Sequence, residues 1–142
     1  MGDYIVQADL EKLLSVDIVI QLTDDSGGGV VDQDNLNEVI AGSEGEANGY
    51  LQTKYTVPIS PVPPGLKVAV ADIAAYRLHL RRPGAVTDQV DRQYKNAVDF
   101  LKNVSKGLAS LGDEAAAPED TSHAVDFTSD NRKFTDESMG GF

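Results

Sequence analysis

Apolar side chains recur along this chain at the three- and four-residue spacing that amphipathic helices require. The longest apolar run covers residues 65–82, is rich in alanine, and is closed by Pro83 and Gly84. A helix that is apolar around most of its circumference is typical of a buried position in a bundle. We therefore expect residues 65–82 to form the central helix, started by Pro63 or Pro64, where a missing N–H costs nothing.

The cleanest amphipathic pattern lies C-terminal to that helix and predicts a final helix. Thr87 or Asp88 is the expected N-cap, the helix runs to about Lys106, and Gly107 follows as the residue that ends it. The apolar stripe of this helix comprises Val90, Tyr94, Ala97, Val98, Leu101 and Val104.

Three further helices are predicted before the central one. They cover residues 8–14, 16–22 and 33–55. The buried stripe of the first is expected to comprise Leu10, Leu13 and Leu14. Residues 16–22 are rich in β-branched side chains and would also suit a strand. We favour a short helix, because the chain offers no second convincing strand to pair with it. Asp32 is the expected N-cap of the third helix.

Two segments without helical character separate these elements. Gly27, Gly28 and Gly29 place a loop between residues 23 and 32. Four prolines within residues 58–64 impose an extended connection before the central helix. The predicted fold class is all-α, a small bundle of four to five helices over residues 1–112 with a proline-rich connection.

The composition changes at residue 113, and residues 113–142 form an acidic segment with little periodicity. Such a composition predicts a flexible C-terminal tail, because it cannot bury enough apolar surface to offset its ordering entropy. Phe127, Phe134 and Phe142 are either docking points on another surface or incidental residues of a solubilising tail.

The formal net charge of −11 is distributed unevenly along the chain. Residues 1–56 carry 11 acids and 2 bases, whereas residues 57–112 carry 4 acids and 8 bases. This segregation indicates either self-association between unlike regions of two subunits or solvated faces that never meet. The excess of acid argues against free double-stranded DNA as a partner. We expect no disulfide, since cysteine is absent, and no membrane span.

Catalytic and metal-binding motifs are weak. The Asp24–Asp32 loop resembles a calcium loop in composition, but Thr23 would take the first ligand position and Asp34 the twelfth, where a glutamate is needed. His79 and His123 stand alone. We therefore expect no enzyme and no cofactor. A metalloenzyme that uses the Asp24–Asp32 loop is kept as a remote hypothesis.

One basic region stands out at the end of the central helix and the start of the last one. Its candidate contact residues are Arg77, Arg81, Arg82, Arg92 and Lys95. The region suits either a lumen that nucleic acid passes through or the acidic part of a protein neighbour. The net charge of the chain favours the protein neighbour.

Several short motifs, in order and with matching spacing, resemble the small Mu-like bacteriophage and prophage protein family. The resemblance covers about residues 3–112. The motifs lie at residues 20–25, 48–51, 54–55, 57–59, 72–78, 81–83, 94–101, 107 and 110–112. The family has no assigned catalytic residues to carry over.

The resemblance implies a structural head–tail joining protein, of the adaptor or head-completion type. Such a protein would be made in the bacterial host cytoplasm and would form or join a ring at the portal vertex of the virion. Its expected partners are further copies of itself and the portal and tail proteins, with DNA only as passing cargo. The alternative is a monomeric acidic helical module that binds a regulatory or chaperone partner through its tail.

Overall fold

A computed structural model describes residues 2–111, and within them the chain forms five α-helices and no strand. The helices are α1 (Gln7–Leu14), α2 (Val16–Thr23), α3 (Gln33–Leu51), α4 (Pro64–Leu80) and α5 (Asp88–Ser105). This confirms the all-α prediction and excludes the strand alternative for residues 16–22. The predictions for residues 113–142, including those for Phe127, Phe134 and Phe142, lie outside the described residues.

Helix α4 is the centre of the bundle, as the apolar run predicts. It packs against each of the other four helices. Leu66, Val70, Ile73 and Leu78 on this helix are fully buried, and alanines such as Ala74 allow its neighbours to approach closely. Pro64 occupies the first turn, where no N–H partner is needed.

Two local predictions are wrong. Leu13 is 41% exposed, because it lies at the rim of α1 beside Lys12 and Val68, where no helix of residues 2–111 covers it. Helix α3 ends at Leu51 rather than at residue 55, since the N–H groups of Lys54 and Tyr55 both turn back to the Leu51 carbonyl. The proline-rich connection follows at once, and the residue before a proline avoids helical backbone.

The N-terminal segment is fixed to the middle of α3 by a buried carboxylate that the sequence reading missed. Glu44 accepts the backbone N–H groups of Asp3, Tyr4 and Ile5 at 2.9, 2.6 and 3.1 Å. A side chain at Gly2 would overlap the same carboxylate, since a Cβ there would lie 2.1 Å from Glu44 Oε2. The N-terminal segment is therefore packed into the core in a defined conformation.

Tyr4 extends this attachment to the proline-rich connection. Its hydroxyl donates to Asn48 Oδ1 and accepts the N–H of Ile59 at 3.1 Å. The Tyr4 side chain and Ile59 are both buried. Burial raises the pKa of the Tyr4 phenol. The connection contains two cis peptide bonds, before Pro58 and before Pro61.

Candidate interaction surface

Two arginines at the C-terminal end of α4 hold the carboxylate of Asp25, and we call these three residues the arginine clamp. Arg81 donates to both carboxylate oxygens, at 3.2 and 2.7 Å, and Arg82 donates to Oδ1 at 2.9 Å. The hydrogen bond from Arg82 is the largest of the causes that hold the pKa of Asp25 below its usual value. The clamp joins the end of the central helix to the loop that follows α2.

The same arginines also cap α2. Arg81 donates to the Leu22 carbonyl at 2.9 Å, and Arg82 donates to the carbonyls of Gln21 and Asp24 at 3.1 and 3.0 Å. The last carbonyls of a helix lack partners within it and favour positive charge nearby. Helix α2 has no basic residue in its own last turn. Helix α4 therefore supplies the cations that the end of α2 lacks.

The loop between α2 and α3 is built around the carboxylate of Asp24. Its Oδ1 accepts the N–H groups of Ser26, Gly27 and Gly28 at 3.0–3.2 Å, and its Oδ2 accepts that of Gly29 at 2.7 Å. These bonds, that from Gly29 first, lower the pKa of Asp24. Gly27 and Gly29 have positive φ angles of 83° and 77°, which favour glycine.

Hydrogen bonds also hold the far end of the loop, where it leads into α3. Thr23 Oγ1 accepts the N–H of Asp32 at 3.2 Å, and Asp32 caps α3 by accepting the N–H of Asn35 at 3.0 Å. This confirms the predicted N-cap. Val30 is 66% exposed on this loop. The result is a fixed loop that presents an apolar side chain to solvent.

This arrangement occupies the carboxylates that a metal ion would use. The partly buried Asp24 is bound by backbone N–H groups, and the exposed Asp25 is bound by arginines. Within residues 2–111 there is no group of three or more His, Cys, Asp or Glu side chains placed to hold a metal ion. His79 contacts its own helix, with Nδ1 2.7 Å from the Ala75 carbonyl oxygen. The expectations of no cofactor and no enzyme stay predictions.

Arg77, which lies within α4, belongs to a separate polar network with α3 and α5. Arg77 donates to Glu46 Oε1 at 2.8 Å, and the Tyr94 hydroxyl donates to Glu46 Oε2 at 2.9 Å. Tyr94 stacks on Tyr76, with ring centroids 4.1 Å apart. Burial, followed by the bond to Glu46, raises the pKa of Tyr94 to about 12. Gly42 allows this arrangement, since a Cβ there would lie 3.2 Å from Arg77 Nη1.

The predicted basic region is therefore not one patch. Arg81 and Arg82 hold the loop, and Arg77 joins α3. Lys95 pairs with Asp91 on its own helix at 2.8 Å, and Arg92 is exposed with no ion pair to any described residue. Their role in contacts between proteins stays a prediction.

The uneven charge distribution noted in the sequence has a counterpart along α3, where exposed acids and exposed lysines lie at opposite ends. At the N-terminal end of α3, Asp34 and Glu38 are exposed and make no ion pair among residues 2–111, and we call this the acidic end. At the other end lie exposed Lys54, Lys102 and Lys106, which we call the basic end. A Cβ placed on Gly107 would be 3.1 Å from Lys54 Nζ, so the chain after α5 returns to the end of α3. The two ends are about 28 Å apart, the length of a 19-residue helix.

None of the described helices combines the length and apolar character that a membrane crossing needs.

Comparison with known proteins identifies relatives from Mu-like phages. The model of the bacteriophage Mu Gp36 family matches residues 4–129 of the chain. The Mu-like prophage FluMu protein gp36 of Haemophilus influenzae is 30% identical over 82 residues. That alignment covers 58% of this chain and 56% of the relative, so it spans little more than half of the relative's length. The resemblance to Mu-like phage proteins is confirmed.

Proposed function

Since the chain belongs to the bacteriophage Mu Gp36 family, we propose that it is a structural, non-enzymatic component of the virion. It acts at the head–tail interface, where it forms or joins a ring at the portal vertex. Its partners are further copies of the chain and the portal and tail proteins, and DNA passes without specific binding. The family membership supports the phage assignment, and one feature of the fold supports the ring.

That feature is the separation of charge between the acidic end and the basic end. Two copies related head-to-tail bring Lys54 and Lys106 of one against Asp34 and Glu38 of the next. Such heterologous contacts close into rings when the rotation between copies is right. Arg77 and Arg81 line a hollow with Glu38 but pair with Glu46 and Asp25, so the acidic end is left to attract the basic end of a neighbouring subunit.

The fixed loop supports the same proposal. An exposed apolar residue on a segment already held in one conformation binds a partner without paying to order the loop. Val30 lies beside the acidic end in the chain, on the loop that leads into α3. The loop and the acidic end together form one continuous surface for a neighbouring protein.

The test is the oligomeric state of the full chain, which light scattering and negative-stain imaging measure at low and moderate salt. We expect ring-shaped particles, and we expect the full chain to bind portal-bearing heads. Reversal of the basic end with Lys54→Glu and Lys106→Glu should weaken self-association about 10-fold or more, since like charges then face each other. Adding Asp34→Lys and Glu38→Lys should restore it.

The control is Lys12→Glu, which makes half the charge change of the double variant at an exposed lysine of α1 outside both ends. It should leave assembly within about 2-fold of the unaltered chain, since single exposed charges contribute little. A chain that stays monomeric and binds neither heads nor tails contradicts the proposal. Loss of all partner binding on deletion of residues 113–142, with the helices intact, would instead favour the monomeric module that binds through its tail.

A further inference from the structure

The outer face of α4 carries an apolar surface that no described element covers. Val68 is 61% exposed at its centre. One hollow of about 350 Å³ lies between α1 and α4, beside Leu13, and a second of about 340 Å³ lies between α4 and α5, beside Phe100. Val68 and Asp72 line both hollows. We call this surface the α4 face.

Asp72 sits in the middle of this face without a partner. Within residues 2–111 it makes no hydrogen bond and no ion pair, although it is partly buried. Nearby Asp9 and Lys67 pair with each other at 3.4 Å, and they leave Asp72 alone. A buried or half-buried carboxylate without a partner is unfavourable. The face therefore favours an occupant that brings apolar side chains together with a cation.

The chain itself contains such a segment outside the described residues. Residues 113–142 carry 8 acids and only 2 bases, and both bases, Arg132 and Lys133, stand directly before Phe134. Phe127 lies seven residues earlier in the same stretch. Two phenylalanines thus match two hollows, and the only cations of the segment lie beside one of them.

The segment is long enough to reach the α4 face from where the described chain ends. Leu111 is buried in the core, so the starting point is fixed. The 21 residues from there to Arg132 span up to about 70 Å when extended. A folded domain of about 110 residues has a radius of gyration near 13 Å, so every face of the bundle is within reach.

We propose that residues 127–134 bind the α4 face of their own chain. Phe127 and Phe134 fill the two hollows around Val68, and Arg132 or Lys133 pairs with Asp72. An apolar surface that would otherwise attract unrelated proteins is thereby covered. The proposal does not depend on the role in phage assembly, because it concerns the isolated chain.

The absence of cysteine from the chain permits a direct test by disulfide formation. The full chain with Val68→Cys and Phe134→Cys is oxidised at low protein concentration, and the products are separated without reductant. The control pairs Leu108→Cys with Phe134→Cys, since Leu108 is 76% exposed and nearer in sequence to residue 134. We expect the intramolecular disulfide at positions 68 and 134 to form about 5-fold faster or more.

A charge exchange tests the role of Asp72 in the same assay. Asp72→Lys should slow disulfide formation about 5-fold, although a lysine near the thiol would by itself favour the reactive thiolate and speed the reaction. Adding Arg132→Glu and Lys133→Glu should restore the rate. Equal rates for the test and control pairs overturn the proposal. A disulfide-linked dimer as the main product overturns it in favour of binding to a second copy.

Discussion

The attachment at Glu44 and the arginine clamp both use a carboxylate to fix a non-helical segment to a helix. The first lies in the core and the second at the surface. The residue Glu44 is 6% exposed and accepts three backbone N–H groups, whereas the Asp25 side chain is 51% exposed and accepts two guanidinium groups. Water competes for the hydrogen bonds of the exposed Asp25 carboxylate and not for those of the buried Glu44 carboxylate. We therefore expect Glu44 to determine stability and the clamp to determine the shape of the surface.

The largest effect is expected at Glu44. Glu44→Leu leaves the N–H groups of Tyr4 and Ile5 buried without an acceptor and removes the acceptor of the part-buried Asp3 N–H. Each buried donor left in this way costs about 1–3 kcal/mol. We expect the free energy of unfolding to fall by about 3–5 kcal/mol, measured by urea denaturation at pH 7. The control Glu38→Leu, on the exposed side of the same helix, should change it by less than about 0.5 kcal/mol. Equal effects at the two positions would remove the distinction between the sites.

At the arginine clamp we expect a smaller loss of stability than at Glu44, and a larger effect on self-association than on folding. Arg81→Glu and Arg82→Glu together break the bonds to Asp25 and uncap α2, so the loop loses its attachment to the end of α4. The free energy of unfolding should fall by less than half of the loss at Glu44, because these groups are partly hydrated. Self-association, measured by light scattering, should weaken about 10-fold or more. Parallel losses of melting temperature and of assembly would show that the arginines serve the core alone.

The smallest effect concerns Asp72, whose carboxyl is only half-buried. Burial raises its pKa to about 6, against about 3.9 for an unfolded chain. Between these values the folded state binds more protons, so this group makes stability rise as the pH falls from 6 to 4. With Arg132→Gln and Lys133→Gln as background, Asp72→Asn should stabilise the protein by about 1 kcal/mol at pH 7.5, discounted for hydration.

That gain should disappear below pH 4, where both forms are neutral. In the chain that keeps Arg132 and Lys133, the gain should be smaller, because pairing lowers the cost of the charge. Denaturant titrations at about pH 3 and at pH 7.5 measure both differences. A gain that is the same at the two pH values would show that ionisation of Asp72 is not the cause.

Helix positions were predictable because periodicity reports burial directly. The run of residues 65–82 identified α4, and Asp32 identified the start of α3. Leu13 was predicted to be buried but is exposed. The apolar stripe of a two-turn helix does not show how much of the helix surface its neighbours cover. The end of α3 was predicted too late because residues 52–55 contain no glycine or proline to mark it, and the first proline comes only at residue 58.

The polar contacts were harder to predict, with one exception. Glu44 lies four residues after Ile40 and three before Ala47, so helical spacing alone places it on the buried stripe of α3. A carboxylate at such a position predicts a cluster of donors, although not which ones. The arginines of α4 were recognised as unusual, but their partners are 56 to 61 residues away in sequence. Local patterns contain no information on such pairs.

The cap that α4 places on α2 has a consequence for the order of folding. During synthesis from the N-terminus, α2 and the loop leave the ribosome long before Arg81 and Arg82 are made. The loop therefore gains its attachment to α4 only after the central helix has docked. If the loop contacts a neighbouring subunit, as proposed, that neighbour binds only subunits in which α4 has already docked, and no separate step is needed to exclude incompletely folded ones.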